Sequence, residues 1–314
     1  MGRRASVAGA TLVFCSLVYV GAHSYQGMRA ESEKPPAAAL EFLGAWGIRG
    51  DGPGELQDPV SIATDTLGNI YIADAATRFV HKFSPQGTPL LTFQEDPLKH
   101  PQSITVDTGG AIYVTDPVRE SVFVCFPGDK DRYRELKLKL RASKENLLSV
   151  AVAADGLIFV LDSDAGKLFT FSSRLRLQQS WNPPMNASGP RNHPSAVAIG
   201  PDYSLYIADP TDGRILRFTT ERQFVSEFTA GTGSMGGKLS DEFAVSKNFL
   251  FVMDVDGRML HVRTPDGQSK LDVDLAPELG QAPRRPPPIA ASPRGELLVL
   301  DESAARVLRY RINF

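Results

Sequence analysis

Short runs of alternating apolar and polar residues, separated by turn residues, recur along this chain. Residues 194–218, PSAVAIGPDYSLYIADPTDGRILRF, contain three such runs with their turns. β-Favouring side chains fill the runs, whereas Gly-Pro-Asp and Asp-Gly combinations fall between them. The pattern predicts three consecutive strands joined by short hairpins, with the second strand at residues 205–208 and ended by Asp209.

An apolar run that ends in Asp recurs six times at a regular spacing. The copies are YIAD, YVTD, FVLD, YIAD, FVMD and LVLD, and they end at Asp74, Asp116, Asp162, Asp209, Asp254 and Asp301. Successive copies lie 42 to 47 residues apart. A period of this length with four strands per unit is typical of β-propeller blades. The sequence therefore predicts an all-β fold, a six-bladed β-propeller of four-stranded antiparallel blades.

The last repeat contains only three predicted strands. It begins after RRPPPI and reaches Phe314, whereas an isolated strand at residues 40–46, LEFLGAW, precedes the first repeat. An open ring would leave two unpaired sheet edges. We therefore expect the isolated strand to complete the sixth blade, so that the propeller comprises residues 40–314.

A glycine-rich stretch and three well-matched repeats connect the chain to a known family. The stretch WGIRGDGPGEL occupies residues 46–56, and repeats one, two and four begin PVSIATD, PQSITVD and PSAVAIG. These features resemble the spacer and units of the NHL-repeat family, and the resemblance implies a six-bladed ring around a central channel. Repeats three and five lack the leading proline, and the fifth carries Asp241-Glu242 there. Propellers host many unrelated activities, so the resemblance does not supply the function.

The amino-terminal segment has an export pattern. Arg3 and Arg4 precede an uncharged run at residues 5–22, whose last residues, Val-Gly-Ala, fit a small-residue cleavage site. The run also reaches the minimum length of a membrane-spanning helix, about 17 residues. We expect residues 1–22 to be a signal peptide or membrane anchor and residues 23–39 to be a flexible tether. Either interpretation places the propeller outside the cytoplasm, in the periplasm or the extracellular space.

Composition narrows the classes of partner. The chain has 34 basic and 36 acidic residues and a formal net charge of −2, so no global field attracts it to nucleic acid or to an anionic membrane. Two cysteines, Cys15 and Cys125, provide no disulfide framework for the folded part. Asn186 begins a glycosylation sequon, which has meaning only in a eukaryotic secretory route. We expect a monomeric propeller that contacts a membrane only if residues 5–22 remain uncleaved.

Two sets of charged residues recur where the second strand of each repeat ends. The six Asp residues could form a cation-binding ring, but regular repetition favours a structural role in which each accepts hydrogen bonds from its own turn. Basic residues follow them three to five positions later: Arg78, Arg119, Lys167, Arg214, Arg258 and Arg306. Pairing with the Asp residues is the simpler interpretation, and a surface for anions or acidic peptides is the alternative. Predicted export and weak aromatic interleaving argue against RNA.

Three polar residues differ between repeats and precede the leading prolines. They are Asp58, His100 and His193, from repeats one, two and four. Two His and one Asp are a ligand set that zinc or a similar divalent cation accepts, provided that the side chains converge. The simpler interpretation is a solvated channel mouth with no cofactor.

The leading functional hypothesis is an exported, non-enzymatic propeller that presents one loop face to a protein, a peptide or a cell-envelope polymer. No local motif indicates a Ser-His-Asp or Cys-His catalytic set. Resemblance to the propeller-type amidating lyases is thin, because the turns after the repeated Asp at residues 75–78 and 210–214 contain no Tyr. The alternative hypothesis is a metal-dependent lyase or hydrolase with its site at the channel mouth near His100 and His193.

Overall fold

The computed structural model describes residues 39–93, 98–126, 133–138, 148–183, 194–229, 239–280 and 282–313. In chain order, the strands of this part are β1 (Ala39–Trp46), β2 (Pro59–Thr64), β3 (Ile70–Asp74), β4 (Val80–Phe83), β5 (Pro89–Phe93), β6 (Ile104–Val106), β7 (Ile112–Asp116), β8 (Ser121–Cys125), β9 (Tyr133–Lys137), β10 (Leu148–Val152), β11 (Ile158–Asp162), β12 (Lys167–Phe171), β13 (Leu177–Trp181), β14 (Ala196–Ile199), β15 (Leu205–Asp209), β16 (Arg214–Phe218), β17 (Phe224–Thr229), β18 (Leu239–Val245), β19 (Leu250–Asp254), β20 (Met259–Arg263), β21 (Ser269–Asp274), β22 (Ile289–Ala291), β23 (Glu296–Asp301) and β24 (Arg306–Asn313). A short helix, α1 (Ala276–Leu279), follows β21.

These strands form six four-stranded sheets. Blades one to five are β2 to β5, β6 to β9, β10 to β13, β14 to β17 and β18 to β21, each in sequence order. Blade six has the order β1-β24-β23-β22, so its outer strand comes from the other end of the described chain. The all-β, six-bladed architecture with four-stranded antiparallel blades is confirmed.

Ring closure follows the expected pairing. β1 runs antiparallel to β24, from Ala39 opposite Asn313 to Trp46 opposite Val307, with one register shift between Phe42 and Gly44. The strand begins at Ala39, one residue before the predicted boundary. Residues 1–22, the predicted signal or anchor, and residues 23–38 of the predicted tether lie outside the described residues, as does Phe314.

Packing between neighbouring blades explains the apolar runs. Every residue of the second strands is buried, and β3 and β23 are examples. At the joint between blades one and six, Ile72 and Phe83 pack with apolar residues that include Leu298 and Val307. Outer strands such as β5 are largely exposed. A blade cannot bury both faces alone, so the ring of repeats provides the core.

Among the described residues, no helix has the length and apolar character needed to span a membrane.

Candidate channel-mouth site

The first strands of the six blades line a central channel. Its cavity volume is about 530 Å³, and its lining comes mainly from Ser, Thr, Ala, Val and Ile side chains of β2, β6, β10, β14, β18 and β22. Among the described lining residues, the charged ones are Asp241, Glu242 and Arg285. The charge of the described channel wall is therefore concentrated in blades five and six.

A bulge in β18 creates the acidic part of this wall. Leu239 lies opposite Asp254 and Phe243 lies opposite Val252, so β18 holds two more residues between these pairs than β19 does. The Ser240 hydroxyl donates to the Met253 carbonyl at 3.0 Å and accepts from the Glu242 amide at 3.1 Å. Bulges re-aim side chains and often lie next to functional sites. The extra backbone brings Asp241 and Glu242 to the channel.

Burial changes the protonation of both carboxyl groups. Burial, and next the neighbouring Asp241 carboxylate, raise the pKa of Glu242 to about 8, although Arg285 and the Ile289 amide oppose this shift. Burial also raises the pKa of Asp241, with its own backbone hydrogen bond and Arg285 acting in the opposite direction. At neutral pH, Glu242 therefore carries a proton for most of the time and offers a hydrogen-bond donor.

Arg285 joins blades six and one at the channel mouth. Its Nε donates to Glu302 Oε2 at 2.7 Å, and its Nη2 donates to the Pro59 carbonyl at 3.3 Å. Nη2 also lies 3.8 Å from Asp58 Oδ1. Burial raises the pKa of Asp58, and Arg285 opposes that shift. The positive charge of Arg285 interacts with both Glu302 and Asp58. It therefore does not fully neutralise the carboxyl groups of Asp241 and Glu242 in blade five.

The structure places the three predicted channel-mouth residues differently. Asp58 lies beside Arg285 and Glu302. The backbone N–H of His100 donates to Asp116 Oδ2 at 2.9 Å. His193 lies outside the described residues. Within the described part of the chain, no group of three or more His, Cys, Asp or Glu side chains is arranged to hold a metal ion. The metal site stays a prediction.

Among the described residues, five of the six repeated Asp residues accept hydrogen bonds from backbone amides near their own turns, whereas Asp209 pairs with Arg214. Asp74 Oδ2 accepts from Gln57 N–H at 2.7 Å, and its Oδ1 accepts from Thr77 N–H at 3.0 Å. Asp254 Oδ1 likewise accepts from the Arg258 amide at 2.8 Å. Comparable bonds reach Asp116, Asp162 and Asp301. Asp74 and Asp116 also accept from amides that precede the first strand of their blades, so these two carboxylates fasten the turn to the preceding chain.

Two of the six basic residues pair with the repeated Asp residues. Arg306 Nε lies 2.8 Å from Asp301 Oδ2. Arg214 is buried, with Nε 3.4 Å from Asp209 Oδ2 and Nη1 3.1 Å from Glu227 Oε2. For Arg214 and Arg306, the geometry therefore agrees with the prediction that the basic residues pair with the repeated Asp residues.

The other four basic residues have different surroundings. Arg119 and Arg258 lie near carboxylates of outer strands, at 4.0 Å from Glu135 and 3.3 Å from Asp274. Arg78 is exposed with a φ of 64°, and Lys167 Nζ lies 5.7 Å from the centroid of the Phe169 ring. The six positions thus share a place in the repeat but no common partner, and their role in binding stays a prediction.

Sequence reasoning did not identify Asp241, Glu242, Arg285 or Glu302 as site residues. Two irregularities in the sequence nevertheless mark part of this site. They are Asp241-Glu242 in place of the usual apolar start of the fifth repeat, and the run RRPPPI before the sixth repeat. The repeat pattern gives no information about contacts between blades one, five and six. Those contacts arise only when the ring closes.

No family model and no curated protein matches the chain. Solved structures do match: a streptogramin B lyase structure has a TM-score of 0.61 and 13% identity, over 88% of this chain and 98% of that chain. A catalytically inactive variant of virginiamycin B lyase from Staphylococcus aureus with quinupristin has a TM-score of 0.57 and 13% identity, over 87% and 88%. The β-propeller domain of Cps50 (Swd1) from Myceliophteria thermophila has a TM-score of 0.62 and 11% identity, over 88% and 100%. At these identities the likeness shows the propeller fold alone, and membership of the NHL-repeat family stays a prediction.

Proposed function

We propose that this protein is an exported, non-enzymatic binding propeller that receives a cationic group of a protein, a peptide or an envelope polymer at the mouth of its channel. The observation that carries the proposal is the pair Asp241 and Glu242 on the channel wall, where the described lining is otherwise neutral apart from Arg285. The export pattern at residues 1–22 supports the proposed location.

The dimensions and chemistry of the channel suit such a ligand. Its volume of about 530 Å³ lies within the range of about 300 to 1,000 Å³ that small-molecule pockets occupy. A side chain or terminal amine of a partner fits this space. Carboxylates form short, charge-assisted hydrogen bonds with ammonium and guanidinium groups, and a guanidinium can address two oxygens at once. Glu242 would release its proton as the cation binds, because a nearby positive charge favours the ionised carboxylate.

Defined ligands test this proposal without knowledge of the natural partner. Thermal unfolding is measured with N-acetyl-argininamide, with the neutral analogue N-acetyl-norleucinamide and with N-acetyl-glutamate amide. We expect only the guanidinium ligand to raise Tm, and we expect the variant D241N/E242Q to lose most of that rise. Glu221→Gln, which changes an exposed carboxylate outside the channel lining, is the matched control. Equal rises in the wild type and in D241N/E242Q, or no rise in the wild type, would refute the proposal.

The second candidate function is a metal-dependent lyase or hydrolase that acts in the same channel. A carboxyl group with a pKa of about 8 is protonated at neutral pH and is suited to act as a general acid, which is the observation that favours this candidate. Two of the structures with the same fold are described as lyases. Metal analysis of the purified protein separates the candidates: a stoichiometric divalent metal that is lost in D241N/E242Q or in His100→Ala favours the enzyme, and a metal-free protein that binds the guanidinium ligand favours the binding propeller.

A further inference from the structure

A buried histidine in blade one lies outside the channel site. His81 on β4 has no exposed surface and stands opposite Ile72 and Thr92 of the flanking strands. Its Nδ1 accepts a hydrogen bond from the Gly54 amide at 3.3 Å and lies 3.1 Å from Thr92 Oγ1. Its Nε2 is buried without a hydrogen-bond partner among the described residues. The ring is thus held through one nitrogen only.

Gly54 belongs to the segment that ties the first blade to the last. We call residues 47–58, between β1 and β2, the clasp segment. Arg49 in this segment donates to the carbonyls of Glu302 and Ser303 in blade six, at 3.0 and 2.8 Å. At its other end, Gly54 fits against Pro89 of blade one so closely that a Cβ atom there would lie 2.8 Å from the proline ring. The clasp segment therefore bridges the joint that the β1–β24 pairing closes.

The tautomer of His81 follows from these bonds. An Nδ1 that accepts from an amide has no proton, so the proton of the neutral ring is on Nε2. Protonation of Nδ1 would place two N–H donors, those of His81 and Gly54, against each other. The Thr92 hydroxyl can rotate and become the acceptor, but the Gly54 amide cannot. The clasp segment is therefore the partner that protonation displaces.

Blade five contains a natural comparison. His261 on β20 stands opposite Val252, at the same position of the repeat as His81 opposite Ile72. Opposite His261 on the outer strand is Asp272, whose Oδ1 lies 2.8 Å from Nδ1. The carboxylate of Asp272 carries a negative charge, whereas the hydroxyl of Thr92 carries none. The same repeat position thus has a charged partner in blade five and an uncharged partner in blade one.

The charged groups on the elements around His81 are Asp74 on β3, Lys82 on β4, and four residues of the clasp segment, Arg49, Asp51, Glu55 and Asp58. Glu55 accepts from an amide of its own segment, Lys82 lies 3.8 Å from Asp65, and Arg49 binds the carbonyls named above. The joint with blade six supplies apolar side chains. Burial lowers the pKa of His81, and the field of Asp74 opposes that shift.

We infer that His81 is an acid-sensitive latch: protonation of its imidazole releases Gly54 and the clasp segment and so loosens the joint between the first and last blades. A folded-state pKa below the ordinary value of about 6.5 means that the neutral ring stabilises the closed form above that pH. This stabilisation is lost as the pH falls below about 6.5, because the open form binds the proton more tightly. Acidification therefore opens the clasp, and neutral conditions close it.

Hydrogen exchange of the intact propeller tests the latch. Protection factors, which are corrected for the intrinsic pH dependence of exchange, are compared for peptides that cover residues 47–58 at about pH 7.5 and about pH 5.0, on either side of an ordinary imidazole pKa. We expect protection in the wild type to fall at least tenfold in acid. His81→Asn offers an oxygen in place of Nδ1 that does not titrate, so its protection is expected to be the same at both pH values. His261→Asn is the matched control and is expected to keep the wild-type response.

Two results would overturn the inference. One is wild-type protection of the clasp segment that does not change between the two pH values, and the other is a pH response in His81→Asn as large as that of the wild type. If His81→Asn does not fold, nitrogen NMR of the wild-type imidazole decides the matter. The latch requires the proton on Nε2 at neutral pH and protonation of the ring together with the loss of clasp protection; an Nδ1–H tautomer at neutral pH excludes it.

Discussion

Blades four and five have the same four-stranded ladder but differ in where they place their charges. In blade four, β14 pairs with β15 without a register shift, and Arg214 is buried among carboxylates of its own blade. In blade five, the inner strand bulges, and Asp241 and Glu242 face the channel. Arg258, which follows the repeated Asp254 by four positions, is exposed. The comparison shows that the arginine of blade four is used inside its blade, whereas the carboxyl groups at the irregular position of blade five are available to the channel.

Loss of the arginine in each blade is expected to give the largest difference. Arg214→Ala leaves Asp209, which has no exposed surface, without its cationic partner, and breaking such a buried pair costs about 3 to 5 kcal/mol. Arg258→Ala removes an exposed pair with Asp274 and should cost about 1 kcal/mol or less. Urea unfolding of both variants measures the two costs. Equal losses of unfolding free energy would show that the two blades do not differ in this respect.

The pH dependence of stability is expected to identify the carboxyl group in the bulge. The pKa of Glu242 is about 8 in the folded protein against an ordinary 4.5, so the folded state keeps a proton that the unfolded chain releases. Stability should therefore fall as the pH rises from about 4.5 to about 8. Glu242→Gln should flatten this dependence and gain a few kcal/mol above pH 8, relative to the wild type. Thermal unfolding between pH 5 and 9 provides the measurement; parallel profiles for the two proteins would contradict the assignment.

A serine pair provides the smallest test of the comparison. Ser240 and Ser195 hold equivalent places in blades five and four and are both buried. The Ser240 hydroxyl bonds to Met253 and to Glu242, whereas Ser195 Oγ has no hydrogen-bond partner among the described residues. Ser240→Ala should cost about 1 to 2 kcal/mol, and Ser195→Ala should be neutral within about 0.5 kcal/mol. Chemical unfolding of both variants checks this; a cost for Ser195→Ala as large as that for Ser240→Ala would remove the special role of the bulge.

The fold could be predicted from the sequence because every blade buries its second strand in the same way. Each second strand is buried on both faces and ends in an Asp, which in blade one fastens a turn, so the pattern recurs with the period of the blade. The channel site could not be predicted in this way. Arg285 contacts Asp58 and Glu302 across the joint between the first and last blades. The repeat pattern of the sequence does not predict contacts between these blades. The same holds for His81 and Gly54, which are 27 residues apart.

The pairing of β1 with β24 has a consequence for the order of folding. The Asn313 side chain donates to Glu41 across 272 residues of chain, at 3.0 Å. Each blade from one to five can pair its strands locally as soon as its residues are available, but blade six must wait for the two most distant parts of the described chain to meet. Closing a longer loop costs more conformational entropy, and contacts that are distant in sequence form slowly. During synthesis, β1 therefore leaves the ribosome before the other strands and finds its partner last, with its backbone donors and acceptors open to other strands in the interval.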